Sequence, residues 1–307
     1  MKTIKKIIAI LLITATTTGI QSCQKDKESE PTPTVDTESA AQSQQSSDEA
    51  IQTNESELTM NDVNTAIENS SYGKTSLIVG ASIDSVIAEK KLLITYNGKN
   101  AEGNRSRAGL IIVQLTSGSN WKDKNAVITI TFIGYKVTKV STGKIITFNG
   151  TYLITNVDGG LVRNLKANTY VTHKINGTMN ISFDDGTQRS WTITRQRIIG
   201  LTITGGAYIM VSGYGVNDSF NNISVTGKNR AGVSFYTLIN TPIIFSSGCS
   251  WVPVSGEITH KGTFREITLT YGVDASGNAV ILPACPYGYK INWSTLLGIN
   301  KQAVISY

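Results

Sequence analysis

From residue 76 to the C-terminus the chain is a succession of short Thr-, Ile- and Val-rich runs, and none sustains apolar residues at a period of 3.6. Residues 91–96 (KLLITY), 108–115 (AGLIIVQL), 126–133 (AVITITFI), 144–148 (KIITF) and 150–155 (GTYLIT) are such runs, and apolar–polar alternation is plainest in 128–132 (ITITF). The same alternation returns at 177–183 (GTMNISF), 188–195 (QRSWTITR) and 266–271 (EITLTY). β-Branched residues at every second position, bounded by Gly and Asn, mark half-buried strands. Asp184-Asp185-Gly186 and Ser276-Gly277-Asn278 are hairpin-type turns between such runs. Strands this close together leave no room for crossover helices, so they must pair antiparallel. The expectation is an all-β domain over residues 71–307, either an antiparallel β-sandwich or elongated, twisted sheets of β-meanders. Thr172-His173-Lys174 and Thr259-His260-Lys261 echo one another, as do residues 90–96 and 265–271. These echoes leave two similar β subdomains as an option.

The N-terminus carries an address. Lys2, Lys5 and Lys6 precede the apolar stretch 7–13 (IIAILLI), which is too short to span a bilayer and has the length of a signal-peptide core. Ile20-Gln21-Ser22-Cys23 follows and resembles a lipobox, with Ile20 in place of the usual leucine. Residues 1–22 are thus read as a signal peptide and Cys23 as the lipidated residue. Gln24-Lys25-Asp26-Lys27-Glu28 is similar to the charged surface-export signal of Bacteroidota lipoproteins. The expected location is the outer membrane, lipid-anchored, at the cell surface.

Charge divides the mature chain. Residues 24–70 hold two Lys and eleven Asp or Glu, whereas residues 71–307 hold 23 basic and 11 acidic residues. Residues 23–70 are low in hydrophobicity and acidic, which predicts a disordered tether. Within it, residues 58–68 (LTMNDVNTAIE) suit one short helix, marginal when alone. The basic domain attracts polyanions. A surface location excludes nucleic acid and favours anionic polysaccharide or glycan, unless the charge serves solubility and balances the tether. Besides Cys23 there are two cysteines, Cys249 and Cys285, and an even pair in an exported protein reads as a disulfide.

Read in order, "KKLLITYNGKNAEGNRSRAGLIIVQL", "AVITITFIGYKV", "FNGTYLITN", "INGTMNISFDDGTQRSWTITRQR", "GKNRAGVSFYTLINTPI", "CSWVPVSGEI" and "REITLTYGVDASGN" resemble a Bacteroidota family of surface lipoproteins of unknown function. The resemblance spans nearly the whole domain. It implies fold and location and no activity. Members often carry a further cysteine pair, and here Ala81 and Ala101 stand at those positions.

Signs of catalysis are sparse. His173 and His260 lack metal-ligand spacing and read as surface residues at strand ends. No G-x-S-x-G elbow is present, and Asp184-Asp185 is a turn and not a carboxylate pair across a cleft. No catalytic residue, metal or cofactor is assigned. One constellation stands apart. On the strand 189–197, Arg189, Trp191, Ile193, Arg195 and Arg197 share a face. Cations interleaved with an aromatic suit sugars and anions. Alternatively, Trp191 and Ile193 are core while the arginines cap the strand end or cross-pair with Asp and Glu on neighbours. Arg105, Arg107 and Arg230 are candidate companions. Asp84-Ser85-Val86 resembles a Bacteroidota O-glycosylation tripeptide, with Ser85 as acceptor. The leading expectation is a non-enzymatic β-domain for binding or envelope organisation. An envelope-assembly partner of an outer-membrane protein and a glycan-processing enzyme are the alternatives.

Overall fold

A computed structural model describes residues 35–69, 78–230, 232–262, 266–294 and 298–307. The alternating runs become β1 (Ala81–Val86), β2 (Lys91–Lys99), β3 (Arg105–Ser117), β4 (Ala126–Lys139), β5 (Ile145–Asn156), β6 (Tyr170–Phe183) and β7 (Gln188–Leu201). They continue as β8 (Ala207–Gly213), β9 (Ile223–Lys228), β10 (Ser234–Ser246), β11 (Pro253–Gly262), β12 (Glu266–Val273), β13 (Gly288–Ser294) and β14 (Asn300–Ser306). The strands form one antiparallel sheet in near-sequential order, as the alternating pattern requires. β8 and β9 share a single lane: β8 pairs with the second half of β7 and β9 with its first half, and both then pair with β10.

The all-β reading stands, and the strands build one continuous sheet. The disordered tether is corrected in part. Residues 35–69 form the helix α1 (Val35–Asn69), of which the expected 58–68 helix is the C-terminal portion. Residues 1–34, including Cys23 and the expected signal peptide, lie outside the described residues.

α1 lies against the concave side of the sheet. None of residues 51–69 is exposed. The helix contacts β2, near one end of the strand order, and β12 and β13, near the other. Glu55 and Asp62 reach arginines of β3 while Glu57 and Asn61, on the same turns, reach Arg197 of β7, so the sheet curls around the helix. The curl comes with irregular ladders, which bend and twist strands. The β3–β4 register shifts between Ala108 and Leu110, and the β4–β5 register between Phe132 and Tyr135. Gly109, at φ +106°, sits where a Cβ would lie 2.3 Å from the Gly134 carbonyl oxygen. No other residue fits that approach.

Inward-facing side chains form two apolar clusters. One joins Met60, Val63 and Ala66 of α1 to the inner face of β2–β7, around Ile94, Ile111, Ile130, Tyr152, Ile181 and Trp191. The other, around Ile209, Phe245, Ile258, Leu269, Tyr271 and Ile291, fills β8 and β10–β13. Residues 35–307 nonetheless make one unit. Among the described residues no helix is long and apolar enough to cross a membrane.

Candidate functional site

The inner face of the sheet carries the arginines. Parity puts Arg189, Trp191, Ile193, Arg195 and Arg197 of β7 on one side of the strand, and that side faces α1. Trp191 and the three arginines are almost wholly buried. Arg189 Nη2 donates to Glu49 Oε2 at 3.0 Å, and Arg195 Nη2 lies 3.7 Å from Glu49 Oε1. Arg197 Nε lies 2.6 Å from Glu57 Oε2, and its Nη2 donates to Asn61 Oδ1 at 2.9 Å. The expected face of alternating cations and aromatic exists, but it points inward. Its anions are the chain's own carboxylates, so these guanidiniums present no open surface to an external glycan. The partner acids sit on α1, not on neighbouring strands.

The companion arginines join the same helix. Arg105 Nε donates to Glu55 Oε1 at 2.5 Å and Arg107 Nη1 to Asp62 Oδ2 at 2.5 Å. Arg230 holds both oxygens of Asp48, at 2.6 and 2.7 Å, and reaches Asp185 at the β6–β7 turn. Arg163 donates to the Glu68 backbone carbonyl, while the Glu68 carboxylate accepts from the backbone N–H groups of Val162 and Arg163. Seven of the eight arginines in the sequence therefore touch α1; the eighth, Arg265, lies outside the described residues. α1 itself contains eight acidic residues and no Lys or Arg. Guanidinium suits this task better than ammonium, because it is less strongly hydrated and its planar fork matches a carboxylate.

The acids that the sequence reading did not single out are Asp48, Glu49, Glu55, Glu57, Asp62 and Glu68. A usable signal existed. Asp48, Glu55 and Asp62 recur every seven residues, which on a helix makes one stripe. That stripe meets Arg230, Arg105 and Arg107 in turn. Burial pushes the Glu55 and Asp62 carboxyls up, opposed by Arg105 and Arg107 respectively. Burial also pushes the Tyr152 hydroxyl up to about 12.

The histidines require a correction. Both are buried, and neither is at a surface strand end. β6 begins at Tyr170 and β11 runs to Gly262, so each histidine falls at an inward position within a strand. His173 packs its ring against Trp121, with centroids 5.1 Å apart, and stands opposite Arg197 in the β6–β7 register. Burial lowers its pKa to about 3, helped by Arg197. His260 shares a hydrogen bond with Thr237 Oγ1 at 2.8 Å. Burial lowers its pKa to about 4.

Cys249 and Cys285 are joined in a disulfide, with Cα atoms 5.4 Å apart. Ser85 is exposed on the edge strand β1. Among the described residues no three His, Cys, Asp or Glu side chains gather as a metal site.

The outer face has a different chemistry. Strands β4–β10 contain no aspartate or glutamate. Thr131, Thr151, Thr178, Thr192 and Thr226 are successive cross-strand partners, and the row continues to Tyr236 and Lys261. Phe220 stacks near Tyr236 at 6.3 Å, and Lys261 Nζ lies 5.4 Å from the Phe220 ring centroid. Parallel rows place Lys174 beside Gln196 and Lys228 beside Ser190. Lys136, Lys174 and Lys228 are exposed.

No family model, no curated protein and no solved structure matches this chain.

Proposed function

We propose that this chain is an exported, lipid-anchored protein of the outer membrane, displayed at the cell surface, whose β-domain is a non-enzymatic binding head for an anionic glycan. The observation that carries the reading is the carboxylate-free outer face of β4–β10, with its threonine row, exposed lysines and the Phe220–Tyr236 pair. Aromatic faces stack on sugar rings, hydroxyl and amide groups hydrogen-bond to them, and ammonium groups attract acidic substituents. The inner arginines are held by α1, so the outer lysines supply the attraction.

The lipobox-like run ending at Cys23 and the resemblance to Bacteroidota surface lipoproteins support this location. With α1 docked, eleven residues separate Cys23 from Val35. Even fully extended, that link reaches about 40 Å. The head thus works close to the membrane and not at the end of a long stalk. Burial of both histidines supports a binding role over catalysis.

The test uses the mature protein and beads bearing a polyuronate, a lipopolysaccharide or neutral dextran, at low and high salt. Retention on the anionic beads that falls with salt, and falls further in Lys174→Gln/Lys228→Gln, supports the reading. Retention that ignores both salt and the lysines contradicts it.

A further inference from the structure

The charge around β7 does not close. Arg189, Arg195 and Arg197 are almost wholly buried and meet two carboxylates, Glu49 and Glu57. Lysine or histidine could relieve a buried surplus by losing a proton, but guanidinium stays charged. An unmatched buried charge is strongly unfavourable. Hydrogen bonding shows the same surplus. Arg195 Nη2 faces Thr53 and Glu49, while its Nε and Nη1 meet no acceptor. Arg189 Nε, Gln52 Nε2 and the Tyr271 hydroxyl are likewise buried without a partner. Gln52 lies one turn from Glu49 on α1, on the face that also carries Thr53. Tyr271 is within electrostatic reach of Glu49 and Arg195. The remaining titratable groups nearby are His260, which is buried beside Glu49, Arg189 and Arg195, and Tyr152, beside Arg195 and Glu57. Four acceptor atoms here also lack a hydrogen bond, Glu49 Oε1, Gln52 Oε1 and both oxygens of Glu57, of which Oε2 is ion-paired with Arg197. They leave the donors in the majority.

We propose that a small monovalent anion, of the halide class, binds in the interior between Arg189 and Arg195 of β7, Gln52 of α1 and Tyr271 of β12. A halide accepts from several donors at once and needs none in return. Its single charge balances three guanidiniums against two carboxylates. Water would satisfy the donors and leave the charge. The site exists only when α1 is docked, because Gln52 and Glu49 come from the helix, so the anion helps to hold α1 in place.

The test uses the full mature chain in chloride, bromide or gluconate at equal ionic strength. Crystals grown in bromide should show one buried anomalous peak between Arg189 and Arg195. The thermal midpoint should rise by about 3–5 °C per tenfold increase in halide once the site begins to fill, and not in gluconate. Arg195→Gln removes the surplus charge and should abolish the halide response. Should that variant not fold, Tyr271→Phe keeps the charge, removes one donor and should weaken the response several-fold. Identical midpoints in chloride and gluconate, or an interior without bromide, would overturn the proposal.

Discussion

α1 and the sheet are held by opposite means. The sheet is stabilised by apolar inner faces and continuous backbone ladders, and its strands would be recognisable in isolation. α1 has few apolar residues, eight acids and no base, so it cannot form ion pairs along its own surface. Alone, such a segment repels itself and lacks the burial to offset its ordering. Along residues 48–68 the sheet and its connections supply the arginines that offset this repulsion. Buried ion pairs of this kind are a weak source of net stability, yet removing one partner is severe. Within one chain, the sheet is thus the receptor and α1 its conditional occupant.

The largest effect should come from breaking the match on one side only. Arg197→Met leaves Glu57 buried and unpaired, and should lower stability by about 3–5 kcal/mol in denaturant unfolding. Adding Glu57→Met should recover most of that loss. A double variant as weak as the single one would mean that Arg197 acts through packing alone.

The sheet has its own staple. Cys249 and Cys285 close a loop of 36 residues, and the double Ala variant should lose about 3–4 kcal/mol. That loss should fall on β10–β13 and leave exchange protection of α1 in place, which separates the two regions.

Acid should loosen the interior through the histidines. His173 and His260 are held neutral well below the unfolded value of 6.5. Between that value and about 4 the unfolded chain binds more protons. Stability therefore rises with pH across this window and is lost as pH falls, by at most about 1.4 kcal/mol per pH unit for each histidine. Glu55 and Asp62, whose pKa values are raised, work in the opposite sense above their unfolded values. His173→Gln should flatten the acid limb. A slope equal to that of the parent would place the linkage elsewhere.

The smallest effect belongs to the outer face. Lys174→Gln should change stability by less than about 0.5 kcal/mol, since the side chain is exposed. A larger loss would show that the outer lysines are part of the scaffold and not a free binding surface.

Much of the sheet was legible because the period of two is written into runs such as residues 126–132 and 175–183. The disulfide followed from cysteine parity. The Arg189–Arg197 face was legible as a face, but not its direction, because parity says which residues lie together and not what covers them. Of α1, only the C-terminal portion at residues 58–68 is legible in the sequence, and the reason is physical. Residues 35–57 have no apolar periodicity, and the arginines that meet Asp48, Glu49, Glu55 and Glu57 come from as far away in sequence as Arg230. The histidines were misplaced because their Thr and Lys neighbours suggested strand ends, whereas β6 and β11 extend past them on both sides.

Amide hydrogen exchange of the intact protein tests the docked helix most directly. Strong protection is expected across residues 51–69, comparable to β4–β7, with Arg197→Met lowering protection in α1 before it lowers protection in the sheet. Exchange of residues 51–69 at the rate of an unstructured chain, while β4–β7 remain protected, would contradict it.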